Sequence, residues 1–198
     1  MKILDFDQRS DEWQNIRLGK FGSTDAQAVA TNGKGLETLV YKKVAEIISG
    51  KADETYINPD MERGIESEAL ARTAYEIETG NDVKQVGYVL YNDYVGGSPD
   101  GFVGDDGIIE IKSMRDYNYI RALHSQKVEP KYLWQIQHLL YITGRKWADY
   151  VVFNDNFPDL VIVRITPDKK MFEKLEKGLK NGIKMIETIL DDLNHNSI

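Results

Sequence analysis

Ser98-Pro99-Asp100-Gly101-Phe102-Val103-Gly104-Asp105-Asp106-Gly107-Ile108-Ile109-Glu110-Ile111-Lys112 is the stretch on which the fold turns. Gly104-Asp105-Asp106-Gly107 is a hairpin signal between two short apolar runs. Folding about Asp105-Asp106 sets Asp100 opposite Glu110, or one residue from opposite. Side chains directly across an antiparallel pair lie about 5 Å apart, where two like charges repel. Such a pair needs a cation between the carboxylates or a raised pKa on one of them. Lys112, two residues past Glu110, points to the same face, while Ile109 and Ile111 point to the other, towards a core. The ribbon gathers two acids and a lysine over apolar backing.

Working outward, Val83 to Tyr91 and Tyr94 to Val103 read as strands, and Ile108 to Lys112 as the next. Upstream the period is helical. A helix is predicted from Ser10 to before Gly19, and a short one from about Thr24-Asp25. A third lies between Gly35 and Gly50, and a longer one opens at Asn58-Pro59 and stops at Gly80. Downstream, helices are predicted at 116–125 and 131–143 and strands at 147–154 and 159–165. A last helix begins after Thr166-Pro167-Asp168, with the stripe Met171, Leu175, Leu179, Ile183, Ile186, Leu190. This order predicts a mixed α/β (α+β) domain over residues 1–198, with a central sheet flanked by helices.

The chain has 198 residues, with 25 Lys+Arg against 32 Asp+Glu, a net charge of −7. The acidic balance argues against coating nucleic acid by bulk charge, and leaves room for an enzyme that grips phosphates at one local site. Cysteine is absent, which excludes disulfides, thiolate zinc sites, cysteine nucleophiles and cysteine-ligated iron–sulfur clusters. No apolar run approaches the roughly 20 residues that span a bilayer. Met1-Lys2-Ile3-Leu4-Asp5 turns acidic too soon for a signal peptide, so a soluble cytoplasmic protein is expected.

The ribbon suits hydrolysis of a phosphodiester. Two carboxylates can hold Mg²⁺ or Mn²⁺, and the lysine can orient or deprotonate water or stabilise developing charge. The plain alternative is a surface hairpin with a cross-strand Glu–Lys pair. Elsewhere, Glu68 shares a helix side with Met61, Ile65 and Tyr75, where a lone carboxylate needs a partner or a metal. Arg17 follows Trp13 by one turn, so the indole can brace the guanidinium, and a helix start near Thr24 offers amides and hydroxyls to a phosphate. Gly33-Lys34-Gly35 lacks the rest of a P-loop and reads as a turn. His138 can line a cleft near Gln135 or pack in the core. The lysines of the last helix alternate with acids, as on a solvated face.

Ser98-Pro99-Asp100, nine residues, then Glu110-Ile111-Lys112 resembles the PD-(D/E)XK nuclease motif. The wider chain resembles the bacteriophage lambda exonuclease or YqaJ-type viral recombination nuclease family. The further carriers are Trp13 with Arg17-Leu18-Gly19 and Gly22-Ser23-Thr24-Asp25-Ala26, then Arg63-Gly64-Ile65-Glu66-Ser67-Glu68-Ala69, then Trp134-Gln135-Ile136-Gln137. Together they span residues 13–137.

The resemblance implies a PD-(D/E)XK, restriction-endonuclease-like core with two metal sites. Asp100, Glu110 and the backbone carbonyl of Ile111 hold one ion, and Glu68 with Asp100 the other. It makes Lys112 the catalytic lysine and Gln135 a positioner of water or the scissile phosphate. Arg17, Thr24 (or Ser23) and Ser98 take the 5′-terminal phosphate. The family's further arginine, six residues past the lysine, is Asn118 here, with Arg115 or Arg121 as the nearby replacements. The implied activity is Mg²⁺- or Mn²⁺-dependent 5′→3′ exonucleolysis on ends of double-stranded DNA. The implied partners are a phage single-strand annealing protein and two further copies in a homotrimer, with no membrane. The competing readings are an endonuclease of the same fold, a non-catalytic DNA-end or partner-binding module, and a processor of RNA or nucleotides.

Overall fold

The computed structural model describes residues 1–52 and 59–195, except for the side chains at 59–63, 65 and 66. Strand β1 (Lys2–Leu4) leads into α1 (Asp11–Arg17), capped by Ser10, whose Oγ accepts the Trp13 N–H. A single 3-10 turn, Ser23–Asp25, runs into α2 (Ala26–Thr31). Then come α3 (Lys34–Ser49), closed by Gly50 at φ 66°, and α4 (Pro59–Thr79). The predicted opener Asn58 lies outside the described residues.

The two long strands predicted after Gly80 are each broken in two. Val83–Tyr91 divides into β2 (Val83–Lys84) and β3 (Tyr88–Asn92), and Tyr94–Val103 into β4 (Val95–Gly97) and β5 (Gly101–Val103). The halves belong to different sheets. β3 lies between β1 and β4 in a three-stranded sheet, and β2 and β5 join a five-stranded one. The chain changes sheets at Gly87, where a side chain would run into the Phe6 and Leu4 carbonyls, and again at Ser98-Pro99. Proline has no N–H for a ladder, so pairing stops there. β-branched and aromatic residues stand on both sides of each break (Val83, Val86, Tyr88, Val89; Tyr94, Val95, Phe102, Val103), which is why each pair of strands reads as one.

β6 (Gly107–Ser113) pairs antiparallel with β5, Gly101 facing Ile109 and Val103 facing Gly107. It pairs in parallel with β7 (Trp147–Phe153), and β8 (Val161–Ile165) closes the order β2-β5-β6-β7-β8. A parallel neighbour requires a crossover, supplied here by α5 (Asp116–Ser125) and α6 (Pro130–Thr143). Helix α7 (Lys169–His195) ends the described chain.

Strand periodicity divides the core in two. Ile109, Ile111 and Val151 pack with Ala71 and Tyr75 of α4 on one face. Ile108, Tyr150 and Val152 pack with Ile136, Leu139 and Leu140 of α6 on the other. The α7 stripe is core: Leu175, Leu179 and Ile186 are buried against α2 and α3, with Gly178 drawn onto the Val29 backbone. The lysine-rich side of α7 is exposed, Lys180 pairing with Glu176 at 2.8 Å. Among the described residues, no helix is long and apolar enough to cross a membrane.

Candidate active site

The β5–β6 register, carried one step outward, sets Asp100 against Glu110. Asp100 sits at the mouth of β5, where the chain has just left the smaller sheet. Its Oδ2 accepts the Ile111 N–H at 2.6 Å. The N–H and C=O of one strand residue point to the same side, so the Ile111 carbonyl faces this side too. Burial first, then the neighbouring Glu110, push the Asp100 carboxyl far above the usual carboxylate range.

Glu110 is 1% exposed. Its Oε1 accepts from Lys112 Nζ and from Gln135 Nε2, each at 2.6 Å. Its Oε2 is buried with no hydrogen-bond partner among the described residues. A buried carboxylate oxygen left bare beside a second acid is costly unless something fills it. This all-oxygen donor set fits a hard divalent cation, with Asp100, Glu110 and the Ile111 carbonyl as its holders. Burial disfavours the Lys112 ammonium, yet Glu110 and Asp100 outweigh that and hold its pKa above the ordinary value. The ammonium also lies 5.2 Å from the centre of the Tyr132 ring.

Glu68 comes from α4 and is near enough to Asp100 to repel its charge. The partner it needs on the helix is supplied by two guanidinium groups. Oε1 accepts from Arg72 Nη2 at 2.7 Å and Oε2 from Arg9 Nη2 at 2.9 Å. Arg72 in turn reaches the amide oxygen of Gln85 at 2.9 and 3.0 Å. Among the described residues, no three His, Asp or Glu side chains converge as a ready-made metal cage. Asp100 and Glu110 meet, and Glu68 faces arginines. Met61 and Ile65, expected to share its stripe, lie outside the described side chains, whereas Tyr75 is fully buried on that side.

Of the residues predicted to take a terminal phosphate, Arg17 and Ser98 are joined through Trp13. The Arg17 guanidinium stacks on the Trp13 ring, 3.8 Å from its centre. Trp13 Nε1 donates to Ser98 Oγ at 2.8 Å, and that hydroxyl donates to the Gly87 carbonyl at 2.7 Å. Ser98 is thus committed within the fold, one residue before the Pro99-Asp100 step. Ser23 is buried beside Gly97, and Thr24 is exposed on the 3-10 turn. Arg115 is exposed at the start of α5, while Arg121, two turns along, pairs with Glu129 at 2.7 Å.

His138 is packed in the core, its Nε2 3.1 Å from the Gly96 carbonyl, and burial holds its pKa below the usual value. Gln137 bridges the Thr166 carbonyl and the Asp168 N–H, so of the two glutamines only Gln135 reaches Glu110. Sequence reading missed Arg9 and Arg72. Arg72 is one turn past Glu68, a spacing that could have flagged it. Arg9 is joined only through the tertiary fold.

Strands, crossover and acid–lysine ribbon define a PD-(D/E)XK, restriction-endonuclease-like fold. More narrowly, the YqaJ-like viral recombinase domain matches residues 12–146, and the chain belongs to that family. The alkaline exonuclease of Laribacter hongkongensis is similar over 95% of this chain and 98% of its own, at 30% identity and a TM-score of 0.88. Its complex with dAMP gives a TM-score of 0.87. A phage-related exonuclease from Haemophilus somnus shares the fold at 14% identity, with a TM-score of 0.66 over 88% of this chain and 96% of its own. No curated protein matches significantly.

Proposed function

We propose that the protein is a metal-dependent exonuclease that degrades one strand of linear double-stranded DNA from its 5′ end. The observation that carries this reading is the bare, buried Glu110 Oε2 beside Asp100, with Lys112 and Gln135 fixed on the opposite oxygen. Family membership and the likeness to an alkaline exonuclease support the substrate class.

Asp100, Glu110 and the Ile111 carbonyl would hold one Mg²⁺ or Mn²⁺, and Glu68 with Asp100 a second. When bound, such ions lower the pKa of water and offset charge on phosphoryl oxygens. Lys112, kept protonated by its two acids, supplies a fixed positive charge to the developing phosphorane and can hand a proton towards the leaving oxygen. Gln135 holds the Glu110 carboxylate in place. Arg17, braced by Trp13, meets the terminal phosphate with its planar fork, and the exposed Thr24 hydroxyl and Arg115 add donors. A 3′ single strand is the product, which suits recombination with a single-strand annealing protein. A homotrimer would keep an acidic enzyme on its substrate without a broad basic surface.

The test is digestion of duplexes labelled at either end, with and without a 5′ phosphate, alongside closed circular DNA. Mononucleotide release from the 5′-labelled end, enhanced by the phosphate, is expected, with circles intact. Nicking of circles would reassign the protein as an endonuclease. Tight end binding without any cleavage would make it a binding module.

A further inference from the structure

Between β1 and α1 the chain passes through Arg9 at φ 76°, a left-handed conformation that residues with a Cβ rarely adopt. Strain of this kind persists where the surroundings fix it, and it gathers at functional sites. Here the fixing is visible. Gln8 Nε2 donates to the Val86 carbonyl at 2.7 Å and to the Pro99 carbonyl at 3.0 Å, tying the loop to the residue before Asp100. On the other side, Ser10 caps α1. The loop therefore holds the Arg9 guanidinium on Glu68.

The two guanidinium partners of Glu68 are unequal. The Arg72 side chain is 12% exposed and is also gripped by Gln85. The Arg9 side chain is 46% exposed, and Glu68 is its single side-chain partner among the described residues. Each arginine donates to one carboxylate oxygen, so a cation arriving at Glu68 competes with two guanidinium charges for the same carboxylate. Arg9, at the solvent side and with no second side-chain anchor among the described residues, is the one that leaves. Its charge is permanent and its fork matches phosphate oxygens, the anions that a DNA strand would bring to this place.

We propose that Arg9 is an exchangeable counter-ion and a DNA-binding residue. It neutralises Glu68 in the protein free of metal and DNA, and it passes to a phosphate of the bound strand when a divalent cation takes the carboxylate. This rests on the nuclease reading above.

Glycine accepts φ 76° without strain, so Arg9→Gly removes the side chain and leaves the loop intact. Arg9→Asn, whose short side chain tolerates the same region, serves as a second variant. Two measurements pull in opposite directions. Calorimetric titration of the DNA-free protein with Mn²⁺ is expected to show several-fold tighter binding in both variants, because the competitor is gone. Steady-state digestion of linear duplex in Mg²⁺ is expected to show KM raised about tenfold, the loss of one charge-assisted phosphate contact, with kcat little changed. A purely structural arginine would not tighten the metal while loosening the DNA. Unchanged Mn²⁺ affinity or unchanged KM overturns the assignment. If wild-type protein releases no nucleotide from linear duplex, the nuclease reading fails and Arg9 falls with it. If wild type cleaves and both variants match it in both measurements, the Arg9 assignment alone fails.

Discussion

Asp100 Oδ2 accepts the Ile111 N–H at 2.6 Å, so the first acid of the ribbon is pinned by the main chain of the strand that carries the second. The acid pair is held together by backbone geometry against its own repulsion. Replacing Asp100 by Asn keeps an acceptor for that N–H and removes the charge. Asp100→Asn should melt no lower than wild type in the absence of metal, by thermal denaturation. It should lose about a hundredfold or more in cleavage, the scale on which one electrostatic stabiliser acts.

The pH response follows from the same residue. Burial and Glu110 raise the Asp100 pKa to about 8 in the folded protein. Unfolded, it returns to about 4. Between those values the folded state binds the extra proton, so metal-free stability falls as pH rises through the window. Divalent binding runs the other way and tightens with pH, since the ion competes with that proton. Melting temperatures across the window, with and without Mn²⁺, should converge at low pH and separate towards its upper end. A constant separation would contradict this.

Lys112 and Glu110 form a buried pair at 2.6 Å, the lysine side chain 22% exposed and the glutamate 1%. Removing one member of such a pair leaves a charge uncompensated, at a cost of about 3 kcal/mol. Lys112→Ala should show that loss in urea unfolding without metal, recover part of it with Mn²⁺, and cleave no DNA.

Helix α4 is keyed to the sheet two turns from Glu68. Tyr75 OH donates to Asp149 Oδ2 at 2.7 Å, and Asp149 also receives Arg164 Nε and Nη2, each at 2.8 Å. Tyr75→Phe leaves Asp149 with its arginine, so stability should fall by about 1 kcal/mol. Because the tyrosine packs with Ile109 and Ile111 on the face of β6 opposite Glu110, kcat should stay at the wild-type value. A large drop in kcat would mean that this bond sets the Glu68 position.

The hairpin and its acid–lysine face were legible because glycines at both ends of the turn and a period of two are local signals. The broken strands were not. Val83–Tyr91 and Tyr94–Val103 carry strand-forming apolar residues on both sides of the points where the chain changes sheets, at Gly87 and Ser98-Pro99. A pattern that reports burial does not report which sheet does the burying. Trp13 bracing Arg17 was readable from helical spacing, whereas the Trp13–Ser98 bond across 85 positions was not.

Taken alone, the sequence determined the ribbon, the helices around it and the face on which Glu110 and Lys112 stand, since turn chemistry and side-chain period act over a few residues. Tertiary structure alone decided that Gln135 reaches Glu110 across 25 positions and that Arg9 reaches Glu68 across 59. Those meetings depend on how α6, α4 and the β1–α1 loop settle against the two sheets, and no local period encodes that docking.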